Sequence, residues 1–251
     1  MVTGLASGLS GLDVLALVVA ALCVGFAKTA IGGVASISVA LFAAVLPARE
    51  STGVLLPLLL VGDLLALRAY RRHADWATLL RLFPSVACGV LLGVVFVARV
   101  DDTVMRRTIG AVLLMLVAVH LWQRRRAPAE AENTPRRGMA LFFGSLAGFT
   151  TMVANSGGAV MSLYLLSSGL SVLGFLGTGA WFFFIVNTFK LPFSVGLDLI
   201  RLESLVLDAI LVPAVLLGAV IGRFTIKRID RTKFEGAVLF FTVASSLNLI
   251  R

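Results

Sequence analysis

Ten apolar runs alternate with short polar stretches along the chain. They lie at about residues 12–27, 32–46, 52–70, 79–98, 104–122, 138–154, 157–169, 171–190, 203–223 and 234–250. None has the strict apolar–polar alternation of a barrel strand, and their lengths read as helices. From Gly138 to Phe189 there is no Asp, Glu, Lys or Arg. One helix crosses the hydrocarbon core with about 20 apolar residues, so this stretch holds at least two crossings. The pattern predicts an all-α integral membrane protein of about ten transmembrane or half-membrane helices.

The runs form two sets of five, separated by an Arg-rich linker that contains Pro128 and Pro135. The sets look like copies. Gly89 and Gly93 stand in the fourth run as Gly218 and Gly222 stand in the ninth, and Arg99, Asp101 and Thr103 then fall opposite Arg228, Asp230 and Thr232. Gly25-Phe26 followed by Gly32-Gly33 matches Gly148-Phe149 followed by Gly157-Gly158. The expected organisation is a first membrane repeat over 1–123, a linker over 124–137 and a second repeat over 138–251.

Basic residues orient the chain. They cluster after the third run (Arg68, Arg71, Arg72), in the linker (Arg124, Arg125, Arg126, Arg136, Arg137) and before the tenth run (Arg223, Lys227, Arg228, Arg231, Lys233). Ten crossings place all three clusters on one side, which the positive-inside bias makes the cytoplasm, with both termini outside. The loop between runs three and four is then inside and its copy, between runs eight and nine, outside, so the repeats have inverted topology. If the first two runs of each half form a re-entrant hairpin, three crossings remain per half, and the inversion holds.

Those first two runs are short. About fifteen residues span roughly 23 Å, less than the ~30 Å hydrocarbon core. Their junctions are polar and glycine-rich: Lys28, Thr29, Gly32 and Gly33 in one half, and Thr151, Asn155, Ser156, Gly157 and Gly158 in the other. Broken helices at matching places point to a transporter's substrate site, because helix ends expose N–H groups and a positive dipole end to an anion. The competing reading is glycine for close helix packing. Lys28 either meets an anion near the midplane or snorkels to the surface. Asp63, inside the third run, is an ionisable residue in a costly place. It pairs with Lys28, carries a proton, or partners Arg68 near the membrane surface. Asn187 sits at nearly the same place in the other half, and Lys190 three residues on either meets an anion or marks the interface. Pro192 is expected to end or kink its helix.

Composition narrows the function classes. Apolar residues make up 59% and charged residues 14%, with a mean hydropathy of +1.01. A net charge of +9 would suggest nucleic acid in a soluble chain, but here the charges sit in loops between crossings. Cys23 and Cys88 have no metal-ligand spacing and are expected to be buried small hydrophobes. No Gly-x-Ser-x-Gly elbow, His-Glu-x-x-His or nucleotide-binding loop occurs, and His73 and His120 lie at run ends. An enzyme, a metal, a cofactor and ATP use are therefore not expected. The start of the chain lacks the basic residues and cleavage site of a signal peptide.

The chain resembles the sulfite exporter TauE/SafE family in Gly25 to Gly33, in Asp63 running into Tyr70-Arg71-Arg72 and Asp75-Trp76, in Asn187 to Phe193, and in the Gly89 and Gly218 blocks. One Gly-Gly pair stands where the family often has a longer glycine run. The resemblance implies a permease for sulfite, sulfonates or related organic anions in the inner membrane of a bacterial cell. The expected partners are a small anionic substrate and the lipid bilayer, with monomer and homo-oligomer both open. An anion channel and a non-transporting membrane subunit are the alternatives. The topology is testable by impermeant thiol labelling of intact cells, in a variant lacking Cys23 and Cys88. Glu130→Cys should stay unlabelled and both termini should label; labelling at position 130 would reverse the assignment.

Overall fold

The computed structural model describes residues 9–29, 34–125, 137–225, 239–240, 242–244 and 247–250, and all regular structure among them is helical. The helices are α1 (Gly11–Thr29), α2 (Ala35–Val45), α3 (Ala48–Tyr70), α4 (Trp76–Arg99), α5 (Asp102–Arg125), α6 (Arg137–Ala154), α7 (Gly157–Ser167), α8 (Val172–Gly196) and α9 (Leu202–Thr225). A single turn of tighter helix, Arg71–His73, joins α3 to α4. Gly32, Gly33, most of the linker, and Arg228, Asp230 and Thr232 lie outside the described residues. The tenth run is described only in part, and there it is helical.

Among the described residues, four helical stretches are long and apolar enough to cross a membrane: Gly11–Thr29, Ala48–His73, Trp76–Arg99 and Leu202–Phe224. The outer faces of α4 and α9 carry exposed Leu91, Leu92, Val95, Leu216, Leu217, Val220 and Phe224. An apolar face this extensive belongs against lipid. Cys88 is exposed rather than buried. Inside a membrane, exposure of a small apolar side chain means contact with lipid, so no cost attaches to it.

Two expectations need correcting. The first run is longer than expected, since α1 has 19 residues and reaches crossing length, whereas α6 has 18 and its apolar part, Gly138–Ala154, stays short of it, at about 28 and 27 Å of helix. α1 begins one residue before the expected run, at a capping box, and ends two residues after it, at Thr29. Ser10 N–H and Oγ both donate to the Asp13 carboxylate, at 2.9 and 2.8 Å, and Asp13 N–H returns a bond to Ser10 Oγ. The shortness is concentrated in α2 and α7, each of 11 residues and about 17 Å. Pro192 also does not end its helix, since α8 runs on to Gly196. The second glycine-rich junction breaks the helix after Ala154; residues 30–33 of the first lie outside the described residues.

Helix packing has a reciprocal form. The most extensive pairs are α4 with α6 and α1 with α9. A Cβ at Gly25 would strike the Val215 carbonyl and the Ala219 amide; one at Gly148 would strike the Val86 carbonyl and the Val90 amide. Gly218 lies on the Leu22 backbone as Gly89 lies on that of Ser145, and Gly222 meets Phe26 as Gly93 meets Phe149. Every residue in the first member of these pairs stands at the position of its counterpart in the other half. Pro84 and Pro213, inside α4 and α9, keep the same register. The loops follow suit. Gly53 abuts Leu199 between α8 and α9, and Gly177 abuts Tyr70, His73 and Ala74 between α3 and α4.

These contacts leave no room for a methyl group. Gly25→Ala and Gly148→Ala should each lower stability by about 1–3 kcal/mol or more, although alanine favours a helix over glycine by roughly 0.5–1 kcal/mol. Gly196→Ala, whose Cβ would meet nothing, should melt like the parent. Thermal melting in detergent reads all three; unchanged melting of Gly25→Ala and Gly148→Ala would remove the close seams.

Candidate functional site

A buried polar chain runs through the bundle. It starts at Lys28, in the last turn of α1, whose Nζ donates to Asp63 Oδ1 on α3 at 2.5 Å. Gly62 makes the approach possible, because a Cβ there would sit 2.7 Å from Lys28 Cγ. The ammonium also lies 4.6 Å from the centroid of the Phe183 ring on α8, a favourable place for a cation. Asp63 is fully buried. Its other oxygen, Oδ2, accepts from Asn187 Nδ2 at 2.7 Å, so the partner of Asp63 is Lys28 and not Arg68.

Asn187 passes the chain on to the second lysine. Lys190, 1% exposed, donates to Asn187 Oδ1 at 3.4 Å, to Asn155 Oδ1 at 2.6 Å and to the Thr151 carbonyl at 2.7 Å. Thr151 Oγ1 lies at 3.5 Å. Lys190 is thus inside the bundle and does not mark the interface. The Thr151 carbonyl belongs to the last turn of α6, the negative end of that helix's dipole, which favours a cation. Asn155 follows in the left-handed region, φ 49°, which asparagine tolerates better than most residues. This turn aims its amide oxygen at Lys190 while its Nδ2 donates to the Thr52 carbonyl on α3 at 2.9 Å.

The remaining candidates fall around this chain or away from it. Ser156 Oγ donates to the Ala154 carbonyl and does not cap α7. Gly157 packs on Ala147 and Thr151, and Gly158 faces Phe183. Thr29 is elsewhere: its hydroxyl donates to the Ala219 carbonyl at 2.9 Å, in the α1–α9 seam. Sequence reasoning pointed to helix N-terminal amides, whereas the contacts drawn around Lys190 are carbonyl oxygens at a helix C-terminus. It also missed three contributors. Phe183 was hidden in the aromatic stretch Trp181–Phe184, Gly62 was readable as a small residue beside the buried acid, and the Thr52 carbonyl left no signal.

Crossing-length apolar helices that enclose a charged network, with a helix broken beside it, define a membrane transport protein. The chain belongs to the sulfite exporter TauE/SafE family, whose model matches residues 17–249. The members of that family are transporters rather than enzymes. No curated protein and no solved structure matches the chain.

The ion pair gives a stability prediction. Lys28→Met leaves Asp63 buried without its cation and should cost about 3–5 kcal/mol. Adding Asp63→Asn should recover most of that loss, since no unpaired charge remains. Melting of the two single variants and the double variant forms a double-mutant cycle. Additive losses would mean that Lys28 and Asp63 do not hold each other.

Proposed function

We propose that the chain is a secondary transporter, an exporter of small anions such as sulfite, sulfonates or related organic anions, working by alternating access. The observation that carries this reading is charge balance. Two ammonium groups inside the bundle, the buried Lys190 and the partly buried Lys28, share one buried carboxylate, Asp63. Burying an unbalanced charge costs several kcal/mol, and an intramembrane ionisable group is a functional candidate by default. An anion supplies the missing charge. Lys190 is the group to receive it, by exchanging its neutral amide and carbonyl acceptors for a charged one, a stronger partner. The family description names sulfite export, which fits a compact oxyanion of this kind.

The reciprocal glycine contacts support reading the halves 1–123 and 138–251 as inverted repeats. Lys28 and Asp63 come from one, and Asn155, Asn187 and Lys190 from the other, so the site lies between two bodies that rock against each other. Burial of Asp63, Asn187 and Lys190 supports a carrier over a permanently open channel. The expected setting is the bacterial inner membrane, with linker 124–137 cytoplasmic and both termini outside. No cofactor takes part in this mechanism.

Charge balance makes a sharp prediction for sulfite binding to the purified chain, measured by calorimetry. Lys190→Gln removes the excess positive charge and should weaken binding about tenfold or more, since a charge-assisted bond contributes roughly 1.5–3 kcal/mol. The Lys28→Met, Asp63→Asn double variant keeps that excess and should lose less. Asn155→Ala should fall between the parent and Lys190→Gln. If folded Lys190→Gln binds sulfite like the parent, the network is a packing device and the non-transporting subunit becomes the better reading.

A further inference from the structure

Asp208, on α9, has no place in the network above. It is 4% exposed, and neither carboxylate oxygen has a hydrogen-bond partner. Its counterpart in the first half, at the spacing that aligns Gly218 with Gly89 and Pro213 with Pro84, is Leu79 of α4, which is fully buried. The second half therefore carries a carboxyl in a socket that the first half fills with leucine. Packing does not call for an acid there.

α9 packs against α1 and α3. The titratable groups on those helices are Asp13, Cys23 and Lys28 on α1, and Arg49, Glu50, Asp63, Arg68 and Tyr70 on α3. None hydrogen-bonds or ion-pairs with Asp208, and on α9 itself Glu203 and Arg223 stand near the two ends. An ionised carboxylate without a donor is strongly disfavoured in such a place, whereas a neutral carboxyl is tolerated. α9 also lies backbone-to-backbone on α1 through Gly25, Gly218 and Gly222, and α1 carries Lys28.

We propose that Asp208 is a proton-binding site that couples anion movement to a proton gradient. This rests on the transporter reading. The carboxyl holds one proton while α9 buries it. When α9 moves with α1 and water reaches the group, it releases that proton and becomes a carboxylate. No other bond changes. The ionised form cannot re-enter the bundle, so the return step requires proton binding.

The test uses the full chain in liposomes. Infrared difference spectra on raising the pH should show loss of a protonated-carboxyl stretch in the parent, and this band should be missing in Asp208→Asn. A one-unit pH gradient should shift the distribution of methanesulfonate, whose charge does not change with pH, by up to about tenfold per coupled proton in the parent. The gradient should have no effect in Asp208→Asn or Asp208→Leu. Asp208→Leu copies the Leu79 socket and should melt no lower than the parent, which keeps the comparison meaningful if Asp208→Asn folds poorly. The proposal is overturned if the band persists in both variants, or if either folded variant responds to the gradient as the parent does. If the band is assigned to Asp208 but the parent moves neither methanesulfonate nor sulfite, the proton site stands and the transporter reading fails.

Discussion

A buried ammonium, a partly buried one and a buried carboxylate are held inside an apolar bundle, and the rest of the structure is arranged around that fact. The keystone is Lys28 against Asp63. It needs the last turn of α1 to reach the middle of α3, a glycine at 62 to let the lysine stem pass, and Asn187 to satisfy the second carboxylate oxygen. Lys190 then has no carboxylate within ion-pair distance among the described residues. It is held by a helix end and two amide oxygens, partners that stabilise a cation without cancelling its charge. An anion-handling function follows from that imbalance more directly than from any single motif.

The second constraint is distance. α1 meets α9, and α6 meets α4, at backbone contact, which only glycine allows at Gly25, Gly148, Gly89 and Gly218. In lipid there is little hydrophobic drive between helices, so close van der Waals contact of this kind holds them together. Successive contacts climb both partners in the same direction, Leu22 on Gly218 then Phe26 on Gly222, so α1 and α9 run parallel. Helices α1 and α6 are thereby each fastened to a helix of the opposite half. A displacement of one half relative to the other would act on both glycine seams and on the charged network between them.

Much of this was legible in the sequence, for identifiable reasons. Long uncharged runs have few physical outcomes, and the helices α3 to α6, α8 and α9 fall close to the runs that predicted them. Lys28, Asp63, Asn155, Asn187 and Lys190 stood out because polar groups are expensive inside apolar runs. Their connectivity did not, since which lysine meets which acid depends on crossing geometry that no periodicity encodes. The length of α1 was underestimated chiefly because the apolar run closes at residue 27, before the polar Lys28 and Thr29 that continue the helix. Pro192 was expected to end or kink its helix, and α8 continues past it to Gly196. Asp208 was passed over, although it is an acid inside an apolar run, because it lies in a part of the second half where no glycine junction drew notice.

The central claim is that the excess positive charge between the two halves is where the anion binds. Its most direct measurement is a structure with a heavy oxyanion, selenite, located by anomalous scattering. The account predicts a peak within hydrogen-bonding distance of Lys190 Nζ, beside Asn155 and Asn187. A peak confined to the exposed Arg68, Arg71 and Arg72 cluster, with the Lys190 contacts unchanged, would contradict it.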